Sequence, residues 1–239
     1  MAYDPVRGVS VMFGGESQTG YSDDTWTWDG TDWTEQNPVQ VPPSRSVFGM
    51  DYDATLDRVV MFGGFGQGCF NKFNSPYCGD TWQWDGSQWL EVTPSDPSSS
   101  PTARYGFAYV YDSQLGQIVM FGGAATSGGG NDTWTWDGAA WTQLSTATSP
   151  DSRYYTSMTY ESSTNRMVLW AGVLAASNSY ASDMWQWDGA NWSLLTPINT
   201  PQAQANESLV YDPVRDEIVS FGGDGLFGNE NNQTWRYGN

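Results

Sequence analysis

Apolar residues along this chain come in short runs that stop at glycine. Val59-Val60-Met61-Phe62 ends at Gly63-Gly64, Ile118-Val119-Met120-Phe121 at Gly122-Gly123, and Ile218-Val219-Ser220-Phe221 at Gly222-Gly223. Beyond each run, polar and aromatic residues alternate, as in Thr81-Trp82-Gln83-Trp84 and Thr133-Trp134-Thr135-Trp136. Alternation with period two is the pattern of a half-buried strand. Segments this short, bounded by Gly-Gly and Asp-Gly, predict strands linked by hairpins. The Asp-Gly pairs supply the positive φ that a tight hairpin turn needs.

The pattern repeats along the chain. Phe13-Gly14-Gly15, Phe62-Gly63-Gly64, Phe121-Gly122-Gly123, Trp170-Ala171-Gly172 and Phe221-Gly222-Gly223 are spaced by 49, 59, 49 and 51 residues. Trp-x-Trp-Asp-Gly follows each of the first four copies, beginning at Trp26, Trp82, Trp134 and Trp185; the fifth, from Trp235, is degenerate. A further Trp comes next in those four copies (Trp33, Trp89, Trp141, Trp192), and Tyr-Asp or Tyr-Glu precedes every double glycine. Each unit therefore reads as four strands: one ending at Tyr-Asp, one ending at the glycines, one holding the paired Trp, and one holding the lone Trp. A unit of about fifty residues cannot bury both faces of its sheet alone, and radial repetition solves this. The residue three before the Tyr is small in four copies (Gly49, Ala108, Ser157, Ser208), as crowding near a common axis demands.

These residues, with the Arg that opens the first strand (Arg45, Arg104, Arg153), resemble Kelch repeats along the whole chain. The Trp-x-Trp-Asp-Gly variant is more similar to bacterial Kelch-like proteins than to the animal adaptor type. The expected fold is all-β: a five-bladed Kelch-type β-propeller of four-stranded antiparallel blades, as one domain with repeats at about 1–44, 45–103, 104–152, 153–203 and 204–239. The last blade is incomplete, and only residues 1–4 remain of the first inner strand. In such blades one side collects the first-to-second and third-to-fourth connections, which are minimal here. The other side collects the long stretches 16–23, 65–79, 93–102, 124–131, 173–182 and 224–232, and a scaffold with one variable side carries function there.

Composition narrows the chemistry. Acids outnumber bases 27 to 9, for a net charge of −18, which argues against nucleic acid and anionic membranes. No apolar run approaches the ~20 residues of a membrane-spanning helix. Histidine is absent. The copper radical oxidases among Kelch-like propellers need histidine ligands, so that branch is excluded. All 14 Trp fall at repeat positions, so they read as blade packing before they read as a sugar platform.

Candidate sites follow from what the repeat leaves over. Arg45, Arg104 and Arg153, with Gln204 in the fourth equivalent position, would converge on the elaborate side and could hold an anion. Against this, Asp24, Asp80, Asp132 and Asp183 start third strands at the same end and could pair with them. Cys69 and Cys78 are nine positions apart, and a disulfide is expected. The loop between them holds Phe70, Phe73, Tyr77 and the only lysine, Lys72, which together resemble a recognition surface. The stretch from Asp224 to Asn232 offers oxygens to calcium but lacks EF-hand spacing, so no metal or cofactor is expected.

The expected function is a non-catalytic binding module that presents long loops to a protein or polysaccharide ligand, extracellular or on a bacterial cell surface. Alternatives are a carbohydrate-active enzyme (glycosidase, lyase or epimerase) at the channel mouth, and a structural repeat domain of a larger assembly. The incomplete last blade offers a route to self-association.

Overall fold

A computed structural model describes all residues except 70–74, 127, 200–201, 226–231 and 239. Among the described residues it is all-β, apart from two single-turn 3-10 segments, Gln67–Cys69 and Pro97–Ser99. No helix of the described residues is long and apolar enough to cross a membrane.

Five antiparallel sheets form the blades, each with its strands in chain order. Blade 1 comprises Ala2–Asp4, Val9–Ser17, Gly20–Trp28 and Trp33–Gln36, and blade 2 comprises Gly49–Asp53, Arg58–Phe62, Thr81–Trp84 and Trp89–Glu91. Blades 3 and 4 repeat this from Ala108–Asp112 to Trp141–Leu144 and from Ser157–Glu161 to Trp192–Leu195. Blade 5 has three strands, Ser208–Asp212, Glu217–Phe221 and Thr234–Gly238. The Asp-Gly turns behave as expected: Gly30, Gly86, Gly138 and Gly189 lie at φ of 95–100°.

The core sits between blades. At the seam of blades 2 and 3, Val60 and Phe62 pack into Phe107, Ile118, Met120, Trp136 and Trp141. Equivalent clusters join blades 1 and 2, 3 and 4, and 4 and 5. Each fully buried aliphatic or aromatic side chain in these clusters contributes about 1.5–3 kcal/mol. Among the described residues no such cluster joins blade 5 to blade 1. Phe221 is 56% exposed where Phe62 and Phe121 are fully buried, and Trp33 is 40% exposed where Trp89 is 2%.

The double glycine has a steric cause. Gly14, Gly63 and Gly122 have φ of 55–73°. A Cβ on any of them would stand 2.6–2.7 Å from the carbonyl oxygen of the next blade's Arg. The second glycine donates its N–H to that same oxygen, as from Gly64 to Arg104 at 2.8 Å. The motif is therefore where the backbones of neighbouring blades touch. The small residue near the axis is likewise required, since a Cβ on Gly49 would meet the Tyr109 ring at 2.4 Å.

One boundary differs from expectation. The inner strand does not run unbroken from the Arg. It starts at Gly49, Ala108, Ser157 and Ser208, and the Arg or Gln lies on a separate short segment, such as Arg104–Tyr105 paired with Ala124–Ala125. Val47, Gly106, Tyr155 and Asn206 separate the two pieces, each at φ of 53–65°. This kink brings their main chains into a hydrogen-bonded relay across four blades, from Gly106 N–H to Val47, Tyr155 N–H to Gly106 and Asn206 N–H to Tyr155.

Candidate binding face

The segments that follow each Arg and each double glycine lie on the side bearing the long loops. They carry the Arg residues picked out by sequence. Arg45, Arg104 and Arg153 are buried and each makes a two-pronged pair with an Asp. Arg45 Nη1 and Nη2 donate to Asp80 at 2.7 and 2.6 Å, Arg104 to Asp132 at 2.7 and 2.9 Å, and Arg153 to Asp183 at 2.6 and 2.8 Å. The Nη1 atoms also donate to the main chain of Gly63, Gly122 and Ala171, and each Nε donates to the carbonyl two residues back. Each guanidinium thus staples three segments of its own blade.

The same carboxylates accept the indole N–H of Trp82, Trp134 and Trp185 at 2.6–2.7 Å. Burial works to raise the pKa of Asp80, Asp132 and Asp183, but the Arg hydrogen bonds and charge, with the indole N–H, outweigh it and hold all three below the usual carboxylate value. Gln204 occupies the Arg position of blade 5, and Gln233 the Asp position, immediately before Thr234. The repeat thus replaces both charges together. The Arg104–Asp132 pair forms part of the wall of a polar cleft of about 400 Å³ with Ser98, Thr102 and Asn131.

Cys69 and Cys78 are joined as a disulfide, with Cα atoms 4.9 Å apart. Phe70, Lys72 and Phe73 lie outside the described residues, as do Asn229, Glu230 and Asn231 of the oxygen-rich loop. Tyr77 is described and is half-buried. At the start of that oxygen-rich loop, Asp224 accepts from the Asn206 side chain at 2.9 Å. Among the described residues no group of three His, Cys, Asp or Glu side chains converges as a metal site would require.

Tyr77 belongs to a larger feature that sequence reasoning passed over. Its ring lies 5.7 Å from Phe65 and 5.2 Å from Tyr105. Phe65 contacts Tyr21 at 5.9 Å, Tyr105 contacts Tyr155 at 5.7 Å, and Tyr155 contacts Tyr154 at 5.2 Å. These six half-buried aromatics form one continuous arc across the loop side of blades 1 to 4. Tyr155 is pushed up to about 12 by burial, with Tyr105, Tyr154 and Glu16 adding to the shift. Burial and then the charge of Glu16 also raise Tyr21. The arc therefore offers neutral phenols and aromatic faces, with a carboxylate beside them. The signal was present in the sequence: Tyr105 and Tyr154 follow the repeat Arg, and Phe65 follows the double glycine, at positions the repeat leaves free.

A family model described as the KLHDC2/KLHL20/DRC7 Kelch-repeats domain matches residues 5–223. No curated protein matches the sequence significantly. Among solved structures, the one titled "Structure of YjhT" superposes with a TM-score of 0.72 over 95% of this chain and 77% of that chain, at 14% identity. At that identity the likeness shows the fold alone.

Proposed function

The chain belongs to the Kelch-repeat family, and from that membership we propose that it is a non-catalytic interaction module that grips a segment of a partner protein on its loop-bearing face. The observation that carries this reading is the continuous arc Tyr21–Phe65–Tyr77–Tyr105–Tyr155–Tyr154. Tyrosines supply large contact area with few rotatable bonds to freeze, and their hydroxyls satisfy polar groups of varied geometry. The rings hold one another in place, so little order has to be gained on binding. A net charge of −18 and Glu16 beside the arc favour a partner segment carrying Lys or Arg. The disulfide suits an extracellular or cell-surface setting, in keeping with the resemblance to bacterial Kelch-like proteins.

The test is to pan a random peptide display library against the protein and measure the recovered ligands on Tyr77→Ala and Tyr105→Ala variants. Loss of about 2 kcal/mol, roughly thirty-fold in Kd, is expected for central aromatic anchors, together with weakening at high salt. Ligands that bind these variants unchanged would overturn the reading. So would a protein that takes no peptide but retains polysaccharides on a glycan array.

A further inference from the structure

The second repeat is longer than its neighbours, and its extra residues enclose two cavities. Its double glycine and the next are 59 residues apart, where the flanking pairs are 49 apart. Seven of the ten extra residues fall between Phe62 and Trp82, which are 20 apart where Phe13 and Trp26 are 13 apart. Three fall between Trp89 and Arg104, which are 15 apart where Trp33 and Arg45 are 12 apart. A cavity of about 440 Å³ lies between the two inserts, lined by Ser75 and Gly79 of the first and by Pro94, Pro97, Pro101 and Ala103 of the second. It shares Pro97, Ser100 and Thr102 with the polar cleft of about 400 Å³ beside Arg104 and Asp132. The two form one trough with a proline-rich half and a polar half.

The framework of the polar half is common to blades 2 to 4, but its lining is not. Arg, Asp and Trp recur there. Thr102, Asn131 and Gln143 stand where blade 2 has Pro43, Gly79 and Glu91 and blade 4 has Asp151, Ser182 and Leu194. The repeat leaves these three positions free to follow a ligand. Arg104, the one cation among the described lining residues, has no N–H to spare. Its Nε donates to the Thr102 carbonyl, Nη1 to the Gly122 carbonyl and Asp132 Oδ1, and Nη2 to Thr102 Oγ1 and Asp132 Oδ2. An anion finds no donor on it. Among the described residues, Asp132 Oδ1 accepts only from Arg104 and keeps a lone pair, while Thr102 Oγ1 accepts from Arg104 and keeps its own proton to donate. Gly130 leaves Asp132 Oδ1 clear, since a Cβ there would stand 2.5 Å from it. The Asn131 and Gln143 side chains are exposed, and each amide both donates and accepts.

We propose that the trough is a binding site for a neutral sugar, either one hexose ring or a short oligosaccharide of such rings. Sugar hydroxyls donate and accept, which matches a wall of hydroxyl, amide and paired carboxylate groups. The C–H face of a pyranose is apolar and suits the proline-rich half, and cavities of this size enclose small ligands. Acidic sugars are disfavoured by the satisfied guanidinium and by the net charge of −18. A peptide that adds as a strand needs an open sheet edge. The strands lining the polar half offer none: Ala124–Ala125 is paired on both sides, and the N–H and carbonyl of Arg104 are taken by Cys78 and Gly64. None of the six arc aromatics lines the trough, so the site is separate from the one that carries the proposed function.

The probe is an array of neutral hexose oligosaccharides printed beside uronic-acid and sulfated ones, followed by calorimetric titration of the best-retained neutral glycan. Retention of neutral glycans over acidic ones is expected. Asn131→Ala and Gln143→Ala remove exposed amides and are expected to leave Tm unchanged. Each is expected to weaken the glycan about three- to tenfold. Tyr77→Ala is expected to leave glycan binding unchanged, and Asn131→Ala to leave peptides selected on the arc unchanged, so the two sites fail separately. No retained neutral glycan, a preference for acidic glycans, or a retained glycan that both cleft variants bind unchanged would each overturn the proposal. Weakening of the peptides instead of the glycan by Asn131→Ala would assign the trough to the peptide site and overturn it as well.

Discussion

Glu207 shows how one residue can work against its own repeat. It takes the position of Phe48, Phe107 and Thr156, is buried, and neither carboxylate oxygen has a hydrogen-bond partner. Burial pushes its pKa up from 4.5 to about 7. The folded state therefore holds the proton more tightly than the unfolded chain does. The group's contribution is fully present below pH 4.5, declines between pH 4.5 and 7, and above that becomes a fixed loss on the order of 3 kcal/mol. Glu207→Gln is expected to raise stability at pH 8 by a similar amount and to change nothing at pH 4, as measured by urea denaturation at both values. Equal effects at the two pH values would mean the carboxyl is solvated. Asp80, Asp132 and Asp183 act in the opposite sense: their pKa values are lowered, so the stability they contribute is lost as pH falls through those values.

At the level of the element, the Arg–Asp staple is a unit that blades 2 to 5 keep or replace whole, whereas blade 1 has the acid alone, Asp24, bonded to Ser22 and Trp26. Arg104 ties Thr102, Gly122 and Asp132 together, so it fixes where the inner, second and third strands of blade 3 meet. Arg104→Gln leaves Asp132 largely buried without its cation, and a cost of about 3 kcal/mol is expected. Adding Asp132→Gln is expected to recover at least half of that, because blade 5 folds with Gln204 and Gln233 in these two places. A thermal-denaturation double-mutant cycle checks it. Additive losses would show that the charges, and not the occupancy of the positions, hold the strands.

Across the whole molecule, stability resides in the seams, and among the described residues five blades supply four of them. Equivalent residues should then differ in consequence according to seam. Phe121 is fully buried between blades 3 and 4, and Phe121→Asp is expected to cost at least about 4 kcal/mol, lowering Tm by about 10 °C or more. Phe221 holds the same place in blade 5 and is 56% exposed, so Phe221→Asp is expected to shift Tm by no more than about 2 °C. Calorimetry of the two variants compares them directly, and similar losses would mean that the face of blade 5 is covered in solution.

The strands, the blade count and the packing role of the tryptophans were legible in the sequence, because each depends on local periodicity repeated five times. The Arg–Asp pairing was legible only as an option, since residues 28–35 apart in the chain meet once the blade has folded. The inner strand's break at Val47, Gly106, Tyr155 and Asn206 carried no common residue type to announce it; their shared positive φ arises from contact with the neighbouring blade. The members of the aromatic arc stand at positions the repeat leaves free, but their joining into one surface was decided by tertiary structure. The arc is assembled from residues of different blades, and which side chains become neighbours depends on how wedges pack around an axis, a property that no single repeat contains.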